Sequence, residues 1–105
     1  MTDSTTLACR LADLDGAQTL RYQELRKAMK ASTVEHRELP DGYGLRFVPE
    51  PMVFVQLAEW ITLERVCCPF LAFGLEWSAS DDLWLKLTGG PGVKEFLRGR
   101  LNQPA

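Results

Sequence analysis

The sequence predicts an α+β fold, in which a four-stranded antiparallel sheet has its helices packed mainly on one face. Three observations predict it. Two segments of alternating apolar and polar residues follow each other twice, each pair leads into a helical segment, and proline or glycine separates the pieces. An N-terminal helix comes first, so the order is strand-strand-helix twice after a helix. Strands joined by short turns pair antiparallel, and helices on one face complete a two-layer domain.

The first half of the chain contains the N-terminal helix and the first strand pair. Residues 7–12 alternate in polarity and predict a short strand or extended arm. Asp15 followed by Gln18 is typical of a capping box, and the helix it starts should run to about residue 31. A Pro-Asp-Gly turn at 40–42 then joins two predicted strands, Thr33–Leu39 and residues 43–48.

The second half repeats the strand pair and supplies two more helices. Pro51 suits the first turn of a helix over residues 52–67, and Pro69 ends it because the residue before a proline avoids the helical region. Strands are predicted over residues 70–78 and Leu83–Thr88. A Gly-Gly-Pro-Gly run at 89–92 stops the last strand, and Pro91 should take the first position of a final helix that runs through residue 101.

Length and composition indicate one ordinary globular domain over residues 1–105. A chain of 105 residues suffices for one modest core, and its polar residues 1–6 are expected to form a disordered tail. A net charge of −2 argues against a general nucleic-acid binder, which needs a basic surface. No apolar run reaches the roughly 18 residues of a membrane span, and the N-terminus lacks a secretory pattern. We therefore expect a cytoplasmic protein that partners neither nucleic acid nor membrane.

The second predicted helix is apolar almost all round. Its polar side also carries apolar residues, namely Met52, Val55, Leu63 and Val66. A helix with so little polar surface is normally buried on more than one side. In so small a domain a second copy of the chain would supply the extra cover, so the sequence predicts a homodimer.

Glu64 is the exception on the apolar face of this helix. Its projection falls between Val53 and Leu57, and Cys68 follows four residues later on the same face. A buried carboxylate needs a partner or a raised pKa, and such groups cluster at functional sites. The alternative interpretation is that the last helical turn emerges from the core, where Glu64 pairs with Arg46.

The pair Cys67-Cys68 at the end of the helix has three interpretations. Free cysteines commonly pack in cores. Thiolates also bind soft metals such as zinc, copper or mercury, with Glu64 in support and Cys9 or His36 as further ligands. Redox chemistry at one thiol is the third, which the helix C-terminus disfavours because its dipole opposes a thiolate. Adjacent cysteines depart from the usual metal-ligand spacing and are too close to bridge each other, so packing ranks first and metal binding second.

The three tryptophans are candidates for a ligand pocket or an interface. Trp60 lies on the second helix, and Trp77 and Trp84 lie on adjacent predicted strands. If the leucines that alternate with it pack on the helices, Trp84 faces outward with Lys86. An outward tryptophan suits a dimer surface or a ligand contact.

Two further features receive ordinary structural interpretations. The glycine-rich run at 89–92 fits neither the Walker pattern nor the dinucleotide fingerprint, so a sharp strand-to-helix turn explains it. Arg26, Lys27 and Lys30 form a small basic patch on the first helix, which we interpret as a solvated face.

The block Glu64-Arg65-Val66-Cys67-Cys68-Pro69-Phe70 carries a resemblance. With the later Leu-Thr-Gly at 87–89 and Lys-Glu-Phe-Leu at 94–97, it resembles a family of small uncharacterised bacterial proteins with a Glu-Arg-x-Cys-Cys-Pro-Phe motif and a Leu-Thr-Gly and Lys-x-Phe-Leu ending. The likeness runs from about residue 9 to residue 101. It implies that the block belongs to the family pattern, and it implies no activity, cofactor or catalytic residue.

These observations give two hypotheses for function. The first is a small cytoplasmic protein that binds a soft metal, or binds through its thiols, at the Cys67-Cys68 end of the second helix. The alternative is a non-catalytic homodimeric or small-ligand-binding module whose cysteines are structural. His36 is the one histidine of the chain, and no complete nucleophile–base set is visible, so the sequence argues against an enzyme.

Overall fold

The computed structural model describes residues 11–101, and the side chains of residues 12–100. After a short 3₁₀ turn over Leu11–Asp13, three helices and four strands follow along the chain. They are α1 (Gly16–Ser32), β1 (Thr33–Leu39), β2 (Gly42–Phe47), α2 (Pro51–Cys67), β3 (Ala72–Trp77), β4 (Leu83–Thr88) and α3 (Val93–Leu101). The predicted order of elements is confirmed.

The four strands form one antiparallel sheet in the order β1-β2-β4-β3. The two hairpins lie side by side, and β2 pairs with β4 in the middle with Leu45 opposite Leu85. Buried leucines alternate with half-buried or exposed residues along β4, so one face of the sheet meets the helices and the other does not. The α+β class with a four-stranded antiparallel sheet is therefore confirmed.

The local start and stop signals account for most element boundaries. Asp15 accepts a hydrogen bond from the backbone N–H of Gln18 at 2.8 Å, and the Gln18 side chain accepts from the Asp15 N–H at 3.0 Å, which is the predicted capping box. Pro51 is the first residue of α2, where a missing N–H costs nothing. Several predicted bounds differ from the observed ones by one or two residues, as hydrogen-bonded ends often do.

The start of α3 corrects the sequence analysis. The helix begins at Val93 and not at Pro91, because Gly92 adopts a φ of 88° that a helix does not contain. The glycine run thus forms the sharp turn that we expected, but the turn extends two residues further.

The core lies between the sheet and the three helices. Its fully buried side chains come from every layer, for example Leu25 of α1, Leu57 of α2, Phe47 and Leu85 of the sheet, and Val93 of α3. Glu64 is the one buried charged side chain among the described residues, and it lies within this core.

Two sequence predictions lie outside the described residues. These are the disordered tail at residues 1–6 and most of the short strand at 7–12, whose described end, Leu11–Asp13, is a 3₁₀ turn. In the described part of the chain, no helix has the length and apolar character needed to cross a membrane.

Candidate functional site

Glu64 lies in the core and not at its edge. Its side chain is 2% exposed, and the two cysteines after it are fully buried. The alternative that the last turn of α2 emerges from the core, where Glu64 pairs with Arg46, is wrong. Arg46 instead bonds Glu35 at 2.8 Å, since the two lie opposite each other on β1 and β2.

Tyr22 and Arg100 compensate the buried carboxylate. The Tyr22 hydroxyl donates to Glu64 Oε1 at 2.6 Å and accepts from Arg100 Nη2 at 2.7 Å. The same Nη2 lies 3.5 Å from Glu64 Oε2. Burial and the charge of Glu64 raise the pKa of Tyr22, so its hydroxyl keeps its proton over the whole neutral range. We call this group the buried triad: Tyr22 of α1, Glu64 of α2 and Arg100 of α3.

A cavity of about 90 Å³ lies beside the buried triad, and we call it the helix–sheet cavity. Because one water molecule needs about 10–15 Å³, the cavity has room for a small molecule of several heavy atoms. All three helices and three strands contribute to its wall. The wall is formed by Arg26, Met29, Lys30, Thr33, His36, Leu45, Phe47, Trp60, Glu64, Leu87, Leu97 and Arg100.

The wall of the helix–sheet cavity combines an apolar floor with a cationic rim. Leu45, Phe47 and Leu87 of the sheet supply apolar surface. The charged side chains of the wall are three cations and one carboxylate, although the whole chain carries a net charge of −2. Few, well-placed polar groups over an apolar surface are typical of small-molecule sites.

Trp60 lines this cavity and carries an unusual polar atom. The indole is 4% exposed and packs edge-on against Phe73, with the ring centroids 6.0 Å apart. Its Nε1–H is buried and finds no acceptor among the described residues. Buried donors are almost always hydrogen-bonded, because an unmade bond costs the full desolvation of the group. Among the described residues, this donor therefore stays unsatisfied.

The two neighbouring cysteines differ in chemical state. Cys67 is a free thiol and fully buried, and burial together with the charge of Glu64 raises its pKa. Cys68 is disulfide-bonded, and Arg100 Nη1 lies 3.6 Å from its sulfur. The two sulfurs do not bridge each other, as the sequence predicts, and Cys67 is packed in the core. A disulfide at Cys68 was not predicted.

The predicted soft-metal site gains no support from the described residues. No group of three histidine, cysteine, aspartate or glutamate side chains comes together there with the geometry of a metal site. Glu64 is held by the triad, and His36 lies on β1 at the cavity wall. Cys9 lies outside the described residues, and in this state the Cys68 sulfur is not a thiolate. Metal binding stays a prediction.

The three tryptophans do not share one pocket. Trp60 lines the helix–sheet cavity, whereas Trp77 packs on Phe54 and donates to Asp81 at 2.7 Å. Trp84 lies on the face of the sheet that the helices leave open, as predicted, where the Arg37 guanidinium stacks 4.5 Å from its ring. Trp77 and Trp84 therefore serve as internal controls for any measurement on Trp60.

Sequence reasoning missed four residues of the site. Tyr22 and Arg100 received no role in a site, and Arg26 and Lys30 were interpreted as part of a solvated face. The spacing of Arg26 and Lys30, one turn apart on the side of α1 that carries Met29, was the available signal. Lys30 is exposed and Arg26 is half-buried, and both line the cavity, which the solvated-face interpretation did not anticipate.

Comparison of this chain with protein families, with curated proteins and with solved structures finds no match. The function must therefore be argued from the site itself.

Proposed function

We propose that this protein binds a small organic molecule in the helix–sheet cavity. One observation carries the proposal: a mostly apolar cavity has few polar side chains in its wall, and among its lining residues is Trp60, whose buried indole N–H has no acceptor among the described residues. A ligand acceptor atom would satisfy this donor, and burial of the ligand's apolar body against the sheet supplies affinity of about 25 cal/mol per Å² before the costs of association.

The buried triad supports binding without catalysis. Both carboxylate oxygens of Glu64 face a partner within the triad, and the Tyr22 hydroxyl both donates and accepts there. Such a satisfied network holds the three helices in place around the cavity and fixes its shape. The proposal corresponds to the small-ligand-binding hypothesis of the sequence analysis, with structural cysteines.

The indole N–H of Trp60 is the direct probe of this proposal. We would titrate the ¹⁵N-labelled protein with benzoate, benzyl alcohol, benzylamine, hexanoate and hexanol, and record the three tryptophan indole signals. At least one compound should shift the Trp60 signal saturably while the Trp77 and Trp84 signals stay in place. No saturable Trp60 shift with any of the five compounds would overturn the proposal.

Filling the cavity gives a second, independent test. In Leu97→Trp the larger side chain occupies part of the cavity, so the saturable response should disappear. Leu20→Trp is the matched control, because the same substitution at a side chain that is 65% exposed on α1 leaves the cavity open. Binding that survives in Leu97→Trp would place the ligand elsewhere. Should Leu97→Trp fail to fold, the wild-type indole titration decides alone.

The predicted cytoplasmic location belongs to this proposal and makes a prediction about Cys68. Disulfides are rare in the reducing cytosol. In cytoplasm Cys68 should therefore be a thiol, although its sulfur is oxidised in this structure. Blocking thiols in intact cells with N-ethylmaleimide, followed by mass spectrometry, measures its state. A Cys68 found mainly oxidised in the cell would count against that location.

A further inference from the structure

The rim of the helix–sheet cavity contains a second donor for which the described residues supply no acceptor. Arg26 is half-buried and lines the cavity from α1. In the described part of the chain no carboxylate, carbonyl or hydroxyl accepts from its guanidinium. The cation is nevertheless close enough to the buried triad to act on Tyr22, whose pKa it lowers against the larger raising effect of burial. Arg26 thus lies near the site, and no acceptor from the described residues engages its guanidinium.

The carboxylate of Glu64 does not use this charge. Its Oε1 accepts from Tyr22 at 2.6 Å and its Oε2 lies 3.5 Å from Arg100. Arg100 therefore compensates Glu64 within the buried triad. Arg26 and Trp60 then bring a pair of donors to the cavity lining, one of them cationic, and no acceptor among the described residues engages either of them.

Donors of this kind select an anionic ligand. A guanidinium presents a planar fork that matches the two oxygens of a carboxylate, and such charge-assisted bonds are about twice as strong as neutral ones. A ligand amine would meet the three cations of the rim, while the Glu64 carboxylate already has its partners. A neutral alcohol would accept from one donor and would not bind both N–H groups of the guanidinium.

From these contacts we infer that the ligand is a small organic acid, with its carboxylate on the Arg26 guanidinium and its apolar body over the sheet. The inference rests on the proposed function, because it names the chemical class of the molecule that the helix–sheet cavity takes. Trp60 Nε1–H donates to a further acceptor atom of that molecule or to the second carboxylate oxygen.

A charge series tests the inference with compounds of equal size. Benzoate should bind the wild-type protein about tenfold or more tightly than benzyl alcohol, because a charge-assisted pair is gained. Benzylamine should bind more weakly than either. Dissociation constants would be measured by the shift of the Trp60 indole signal, and raising the salt concentration should weaken benzoate alone.

The variant Arg26→Gln removes the guanidinium group that would bind the carboxylate, and Lys27→Gln is its matched control. Lys27 is the next residue of α1, is exposed and does not line the cavity, so the second variant makes the same change in net charge. Arg26→Gln should weaken benzoate binding about tenfold or more and leave benzyl alcohol unchanged. Lys27→Gln should change neither.

The outcomes separate this inference from the proposed function. Equal affinities for benzoate and benzyl alcohol, with a saturable Trp60 shift that Arg26→Gln does not alter, overturn the inference and leave the proposed function standing. Tighter binding of benzylamine than of benzoate also overturns the inference and leaves the proposed function standing. It would indicate that Glu64 is the ligand's partner. Absence of any saturable Trp60 shift overturns both.

Discussion

At the scale of single residues, Glu64 shows how a charged side chain is tolerated in a core. An isolated buried carboxylate would cost several kcal/mol, whereas a hydrogen-bonded and ion-paired one is tolerated. Tyr22 supplies the short bond and Arg100 the opposite charge, and each comes from a different helix. The contacts of the buried triad thus connect all three helices.

Tyr22→Phe tests the buried triad at this scale. The change removes one hydroxyl, and leaves Glu64 with one donor fewer in a buried position. We expect a loss of about 1–3 kcal/mol in the free energy of unfolding, measured by urea denaturation. Tyr43→Phe is the control, since its hydroxyl accepts from an exposed Arg98, and should cost less than about 0.5 kcal/mol. Equal effects of the two changes would contradict the role of the triad.

Cys67 provides a second prediction about a single residue. Burial is the main cause that raises its pKa, with the charge of Glu64 second, so the group is a neutral thiol at neutral pH. Iodoacetamide should label Cys67 at a negligible rate in the native protein and readily in urea, as read by mass spectrometry. Rapid labelling of the native protein would show that the thiol is reactive, and would revive the thiol-dependent hypothesis.

At the scale of elements, one ion pair links α1 to α2. Arg21 bonds both oxygens of Glu59 at 2.8 Å, and this contact lowers the pKa of Glu59 from its ordinary value of 4.5. A lowered folded-state pKa gives stability that is present above pH 4.5 and is lost as the pH falls below it. The pair is exposed to solvent, so salt should weaken the effect.

Arg21→Met should therefore lower Tm at neutral pH and have a smaller effect in acid. Thermal unfolding followed by circular dichroism over a pH series measures the difference between the variant and the wild type. Lys27→Met is the control, because it removes an exposed cation from the same helix, and it should show no such trend. A Tm difference that stays constant through pH 4.5 would contradict the assignment.

The sheet contains a position where only glycine fits. A Cβ on Gly42 would lie 1.9 Å from the backbone carbonyl oxygen of Leu87 on the paired strand, which cannot move without breaking the β2–β4 pairing. At Gly74 the nearest atom would be the Lys86 Cβ at 3.7 Å, an ordinary contact. Gly42→Ala should lower the unfolding free energy by about 2 kcal/mol or more, and Gly74→Ala by less than about 0.5 kcal/mol. Chemical denaturation measures both.

At the scale of the whole molecule, the predicted homodimer has a testable surface. Met52, Val55 and Val66 of α2 are 65, 59 and 42% exposed, whereas Leu63, expected with them, is buried at 9%. If α2 buries this surface against a second copy, Met52→Lys/Val55→Lys should give a monomer with an unchanged circular dichroism spectrum. Val34→Lys, at an exposed valine of β1, is the control. A monomeric wild type in analytical ultracentrifugation would contradict the dimer.

The sequence by itself determined the order of the elements, the capping box at Asp15 and the outward position of Trp84, because these depend on patterns within a few residues. For Cys67 it ranked core packing first and left metal binding and redox chemistry open, and the structure shows that the thiol is buried. The sequence also singled out Glu64 as misplaced on an apolar face. Tertiary structure alone decided what Glu64 meets, since Tyr22 lies 42 residues before it and Arg100 bonds Tyr22 across 78 residues. Such contacts depend on how the three helices pack on the sheet. The hydrophobic periodicity within a segment does not specify that arrangement. The helix–sheet cavity is a product of the same packing.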